Sequence, residues 1–164
     1  MIKKLNILLL TMIGVGNSKF APGTMASFIT CLIYIIFFIC EINIIYLIFL
    51  VTLLLIYCSY SIDYFKRSFL EVDAKEIVID EFIGQSIPLL TIYSFIPSNN
   101  LKDFMLYTFF SFILFRIFDI AKPFPINFID KQMKNGFGVI LDDLIAGLYS
   151  VIALLIIFYF LNYV

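Results

Sequence analysis

LDDLIAGLYSVIALLIIFYFLNYV, residues 141–164, opens on two adjacent carboxylates and then runs from Leu144 to Val164 without a charged side chain. As a helix rising about 1.5 Å per residue, that charge-free run reaches about 30 Å, the thickness of a bilayer's hydrocarbon core. The same pattern recurs upstream, in charge-free stretches from Phe20 to Cys40, Ile42 to Ile62, Phe82 to Leu101 and Phe104 to Phe115. The stretch from Phe104 is short alone and spans if it continues through Arg116 and Asp119 towards Ile120. Pro88 and Pro97 set the stretch from Phe82 apart, because a proline removes a backbone donor and bends or ends a helix, so this segment either crosses or dips in. The expected fold is all-α, a single membrane-embedded multi-helix bundle over residues 1–164 with about four to five apolar helices.

Composition agrees. Of 164 residues, 63% are hydrophobic and 14% charged, against the roughly one quarter charged that a soluble surface requires, so lipid is the implied second solvent. Eleven Lys and Arg against twelve Asp and Glu provide no basic stripe, which argues against a nucleic-acid partner. Cys31, Cys40 and Cys58 sit in apolar runs without metal-site spacing and read as structural. The chain has no histidine, so any chemistry must run on carboxylates, Lys, Arg, hydroxyls and a hard metal.

Lys3 and Lys4 followed by the apolar run Leu5 to Val15 read either as a short secretory signal or as a membrane-surface helix before the first span. Cleavage after that run would discard the glycine loop that follows, so the surface helix is the expectation. If the Glu41 turn and the Asn99 to Asp103 turn face outward, Lys3, Lys4, Lys19, Lys66, Arg67, Lys75, Arg116, Lys122, Lys131 and Lys134 all face the cytoplasm and only Lys102 lies outside. That topology gathers four polar motifs at one membrane face.

The first, GVGNSKFAPGTMAS from Gly14 to Ser27, offers glycines, hydroxyls and Lys19 just ahead of an apolar helix. Either its backbone amides and helix start cradle a phosphate, or Thr24 or Ser27 caps the helix after a Pro22–Gly23 turn. The second, VIDEFIGQ, sets Asp80 and Glu81 side by side at the entry to an apolar segment. Adjacent carboxylates there are either paired or metal-bound, or are solvated acids favoured by the helix dipole. In the third, FRIFDIAKPFP, Arg116, Asp119 and Lys122 recur every three residues and stack on one helix face. Pro123 should end that helix near Lys122 and leave the lysine pointing into the headgroup layer; a plain Arg–Asp ion pair would leave Lys122 without a role. The fourth, NGFGVILDDLIAG, brings Asp142 and Asp143 to the mouth of the last span, and the small residues Ala146 and Gly147 one turn on permit close approach of another helix.

Together these segments, APGTMAS, DEFIG, FRIFDIAKPFP and GFGVILDDLIAG, resemble in content and order the motifs of the phosphatidylglycerophosphatase A family, over residues 14 to 147. Ala26 stands where the family favours glycine, a change a helix tolerates. The resemblance implies an all-helical, magnesium-dependent enzyme of the bacterial inner membrane that hydrolyses phosphatidylglycerophosphate to phosphatidylglycerol and phosphate, with its site facing the cytoplasm. The expected roles follow from residue chemistry. Asp80, Glu81, Asp142 and Asp143 would supply oxygens to one or two Mg2+ ions, which neutralise phosphate charge and activate water. Arg116, Lys122 and Lys19 would hold phosphate oxygens, with Gly23, Thr24 and Ser27 at a helix start adding N–H donors. Asp119 would orient the cations or act as base, and an Asp nucleophile is the alternative to water. Two other classes compete: a CDP-alcohol-type lipid phosphotransferase, whose DG and AR elements are lacking here, and a small transport or channel subunit, which leaves the glycine loop without a role.

Overall fold

The computed structural model describes residues 2–68, 76–133 and 135–163. Lys75 and Lys134, two of the cations assigned to the cytoplasmic side, lie outside these residues, as do the side chains of Lys3, Lys66 and Arg67. Among the described residues the regular secondary structure is all helical: α1 (Ile2–Leu10), a short 3-10 turn (Val15–Asn17), α2 (Pro22–Ile39), α3 (Ile44–Ser68), α4 (Ile79–Phe95), α5 (Leu101–Ala121), α6 (Ile126–Gln132) and α7 (Gly136–Tyr163).

Among the described residues, four helical segments are long and apolar enough to cross a membrane: Pro22–Ile39, Ile44–Ile62, Leu101–Ala121 and Gly136–Phe160. The stretch from Phe104, short by itself, gains its length because α5 continues unbroken through Arg116 and Asp119. Its helix stops at Ala121, where Pro123 restricts the backbone before it and Lys122 takes a left-handed φ of 42°.

The fifth stretch behaves differently. α4 has 17 residues, about 25 Å of helix, and ends at Phe95 because Pro97 holds Ile96 extended (φ −89°, ψ 125°). Rather than facing lipid, α4 is the central helix, packed by α2, α3, α5 and α7, with Ile83, Gln85, Ser86 and Leu89 fully buried. Its apolar character on all sides reflects enclosure by protein.

α4 and α7 touch backbone to backbone. A Cβ on Gly84 would stand 2.7 Å from the Asp143 carbonyl oxygen, and one on Gly147 would stand 2.5 Å from the Gly84 carbonyl oxygen. That carbonyl is the one deprived of its usual helical donor by Pro88, whose nitrogen carries no hydrogen. Small residues thus set the spacing of the two helices, as in packing between membrane helices generally.

The far end of the bundle is closed by aromatic rings. Phe38 of α2 stacks on Phe104 of α5 at 3.9 Å, and Tyr93 of α4 stands edge-on to both at 5.5 and 5.8 Å. The Tyr93 hydroxyl reaches the carbonyls of Phe37 (3.0 Å) and Ile42 (2.6 Å), fixing the α2–α3 turn. Cys31 and Cys58 are buried in the apolar core, whereas Cys40 is exposed after α2. With the end of α2 and the start of α5 at this end, the starts of α2, α4 and α7 and the end of α5 collect at the other.

Candidate active site

α2 begins with Pro22, whose fixed φ suits the first helical position and whose missing N–H would have had no partner there. Ala21 precedes it in a left-handed conformation (φ 40°) and no side chain caps the helix, so the capping role foreseen for Thr24 or Ser27 is corrected: both residues lie within α2. The Ser27 hydroxyl donates back to the Gly23 carbonyl at 3.0 Å and accepts from Arg116 Nη1 at 3.3 Å. A side chain at Gly23 would displace Glu81, since a Cβ there would lie 2.1 Å from Glu81 Oε1 and 3.5 Å from Arg116 Nη1. The start of α2 therefore bears directly on a carboxylate and a guanidinium. Thr24 is half-buried beside it, and Lys19 is exposed in the turn before α2.

Asp80 and Glu81 occupy the first turn of α4, where the helix dipole favours negative charge. The glycine contact between α4 and α7 delivers Asp143 to them. Asp80, Glu81 and Asp143 each present an oxygen within 4.8 Å of the others. Burial, then the neighbouring charges of Glu81 and Asp142, hold the Asp80 carboxyl well above the usual carboxylate range, and burial likewise raises Glu81.

Asp142, adjacent to Asp143 and so about 100° round the helix, turns to a different partner. Its Oδ2 lies 2.9 Å from Lys122 Nζ, which is also 2.8 Å from Asp130 Oδ1 on α6. Lys122 is thus folded onto two carboxylates. Burial pulls its pKa down, but the hydrogen bonds to Asp130 and Asp142 outweigh that and hold it above the ordinary lysine value. Arg116 pairs with Asp119 (Nη1 to Oδ2, 2.9 Å) on the same face of α5.

The carboxylates of Asp80, Glu81, Asp119, Asp130, Asp142 and Asp143 thereby share one end of the bundle with Arg116 and Lys122. Glu81 Oε2, Asp142 Oδ1 and Arg116 Nε are buried without a hydrogen-bond partner. Unsatisfied carboxylate oxygens call for a cation and an unsatisfied guanidinium N–H for an anion, since buried polar groups left unpaired are costly. An all-oxygen anionic set of this kind suits a hard divalent ion such as Mg2+, and the residues present fit one.

Two polar residues of this region carry no motif of their own in the sequence. Asp130 is a lone acid in a short segment and becomes notable only through its pairing with Lys122. Gln85, fully buried one turn after Glu81, donates to Ser111 at 2.8 Å; its signal was a polar amide inside an apolar run.

The sequence profile of the family described as Phosphatidylglycerophosphatase A matches residues 8–158. The chain belongs to the phosphatidylglycerophosphatase A family. The matched span takes in all four motifs and every residue placed in the site. A phosphatidylglycerophosphatase A of Haemophilus influenzae is 42% identical over 89 residues, 54% of this chain and 50% of the relative. One of Escherichia coli is 37% identical over 78 residues, 48% of this chain and 41% of the relative. The chain thus spans half or less of the length of these two phosphatidylglycerophosphatase A relatives. A Bacteroides thetaiotaomicron protein named "Putative phosphatidylinositol-3-phosphatase" is 34% identical over 154 residues, 90% of each chain. No solved structure matches the chain. Ala26, where the phosphatidylglycerophosphatase A motif favours glycine, is completely buried, so the extra methyl is packed within the bundle.

Proposed function

We propose that this chain hydrolyses the terminal phosphomonoester of phosphatidylglycerophosphate, releasing phosphatidylglycerol and inorganic phosphate, at the cytoplasmic face of a bacterial inner membrane. The observation that carries the reading is the meeting of Asp80, Glu81 and Asp143 at one end of an apolar bundle, beside Arg116 and Lys122. Helices long and apolar enough to cross a membrane support that reading, because an acidic cluster at their end would meet lipid headgroups.

Asp80, Glu81 and Asp143 would hold Mg2+, with Asp142 Oδ1 a further oxygen free of protein partners. Mg2+, when bound, supplies neutralisation of phosphate charge and Lewis-acid polarisation. Arg116 binds non-bridging phosphate oxygens through its unpartnered Nε and remaining N–H groups. Asp119, engaged with Arg116 at 2.9 Å, orients the guanidinium, which favours that role over base. Lys122 supplies a second cation at the mouth, and the start of α2 keeps its glycine so that Glu81 can approach. Water is the nucleophile favoured here, because three convergent carboxylates suit ligation better than attack. The exposed Lys19 is a candidate for steering the anionic headgroup, not for contact with it.

A second headgroup is favoured by one observation, the Bacteroides relative named for phosphatidylinositol 3-phosphate, aligned over 90% of both chains. Phosphate release by the purified protein from phosphatidylglycerophosphate, phosphatidylinositol 3-phosphate and phosphatidic acid, each with and without Mg2+, separates the two. Fastest Mg2+-dependent release from phosphatidylglycerophosphate is expected. Preference for the inositol lipid would replace the substrate, and release from none would overturn the enzymatic reading.

A further inference from the structure

Lys122 is gripped from two sides by carboxylates of unequal standing. Its Nζ lies 2.9 Å from Asp142 Oδ2 and 2.8 Å from Asp130 Oδ1, and the side chain of Asp142 is 10% exposed whereas that of Asp130 is 46% exposed. The grip is built against local preference: Lys122 holds a left-handed φ of 42°, which a non-glycine residue seldom adopts, at the end of α5. Asp142 cannot turn away without stranding a buried charge. Asp130 can, because a half-exposed carboxylate is readily taken up by water and its ion pair contributes little net stability.

We infer that Asp130 is a stand-in for the substrate phosphate, holding Lys122 in its binding position and giving up its place on Nζ to a phosphate oxygen when the lipid arrives. This deepens the function proposed above and rests on it. Asp130 must give way because Lys122 between two carboxylates carries a local net negative charge, which opposes a phosphate dianion until one carboxylate withdraws. Asp142 keeps the ammonium in place during the exchange. After hydrolysis, return of Asp130 competes with inorganic phosphate for the same ammonium and so favours product departure. Asp130 is accordingly a positioning residue, acting through Lys122, and no bond to phosphorus involves it.

The test is Asp130→Asn, which keeps the shape and removes the charge. With phosphatidylglycerophosphate in mixed micelles, Mg2+ and low salt, KM should fall about fivefold and the inhibition constant of inorganic phosphate should fall in parallel, while kcat does not rise. In a Lys122→Gln background the same substitution should change neither quantity, since the ammonium through which it acts is gone. A merely structural role for Asp130 would lower the thermal midpoint and leave KM and phosphate inhibition unmoved. KM and phosphate inhibition that stay the same or weaken in a folded, active Asp130→Asn protein overturn the inference. Should that variant lose its fold, Asp130→Ser carries the same expectation. Wild-type protein that releases phosphate from no phosphomonoester lipid fails the functional reading instead, so the two failures are distinguishable.

Discussion

Replacing Gly84 by alanine adds one methyl at the point where α4 meets α7, and the surroundings cannot yield. The new Cβ would stand 2.7 Å from the Asp143 carbonyl oxygen, 2.8 Å from Asp143 Cβ and 2.9 Å from Asp143 C. Ordinary contact begins near 3.4 Å, so the helices must separate by about 0.7 Å at this level, and the atoms met are mostly backbone rather than a flexible tip. Overpacking of this kind costs about 1–3 kcal/mol. The separation falls on Asp143 itself, whose carboxylate must stay within 4.8 Å of those of Asp80 and Glu81. A displacement approaching 1 Å in such a constellation lowers turnover by about 100-fold. Gly84→Ala should therefore insert and remain helical, with a lowered thermal midpoint and a loss of kcat/KM far larger than the stability change accounts for. Phosphate release and thermal unfolding measured on one detergent preparation test this. Wild-type kcat/KM in the variant would refute the claim that the glycine contact sets the geometry of the acids.

Other substitutions probe the remaining supports. Gly23→Ala would place a methyl 2.1 Å from Glu81 Oε1; the carboxylate can swing aside, so activity should drop by about tenfold or more with the thermal midpoint nearly unchanged, as phosphate-release and melting assays would record. Tyr93→Phe removes a hydroxyl that serves the carbonyls of Phe37 and Ile42. It should destabilise the fold by about 1–2 kcal/mol in a denaturant titration while kcat/KM at the opposite end stays within about twofold. Lys122→Gln should raise KM at least about tenfold and leave Asp142 without its counter-ion, and substrate-saturation kinetics check it.

Much of this is legible in the amino-acid sequence, for reasons that can be traced to residues. The spans of α2, α3 and α7 followed from charge-free length alone, and Pro123 marked the end of α5 because proline restricts the residue before it. Ala146 and Gly147 announced the close helix contact, which the glycine-to-glycine approach fulfils. What sequence could not supply was direction around a helix axis between partners. Asp142 and Asp143 are adjacent in the chain, yet one reaches Asp80 and Glu81 and the other Lys122, a division decided by which helix lies on each side of α7. The central position of α4 was equally hidden, because lipid and protein present the same apolar surroundings to Phe82, Ile83 and Leu89. Asp130 was invisible because its meaning depends on a lysine eight positions away that the backbone turns back towards it.

The most direct test of the central claim, that Asp80, Glu81 and Asp143 share a divalent cation, is a Mg2+ titration of phosphate release by purified protein stripped with EDTA. Wild-type protein should be inactive without the ion and recover along a saturable curve, whereas Asp143→Asn, equally folded, should require far more Mg2+ or fail to recover. Full release of phosphate by the stripped protein, or an Asp143→Asn curve superimposable on wild type, would contradict the account.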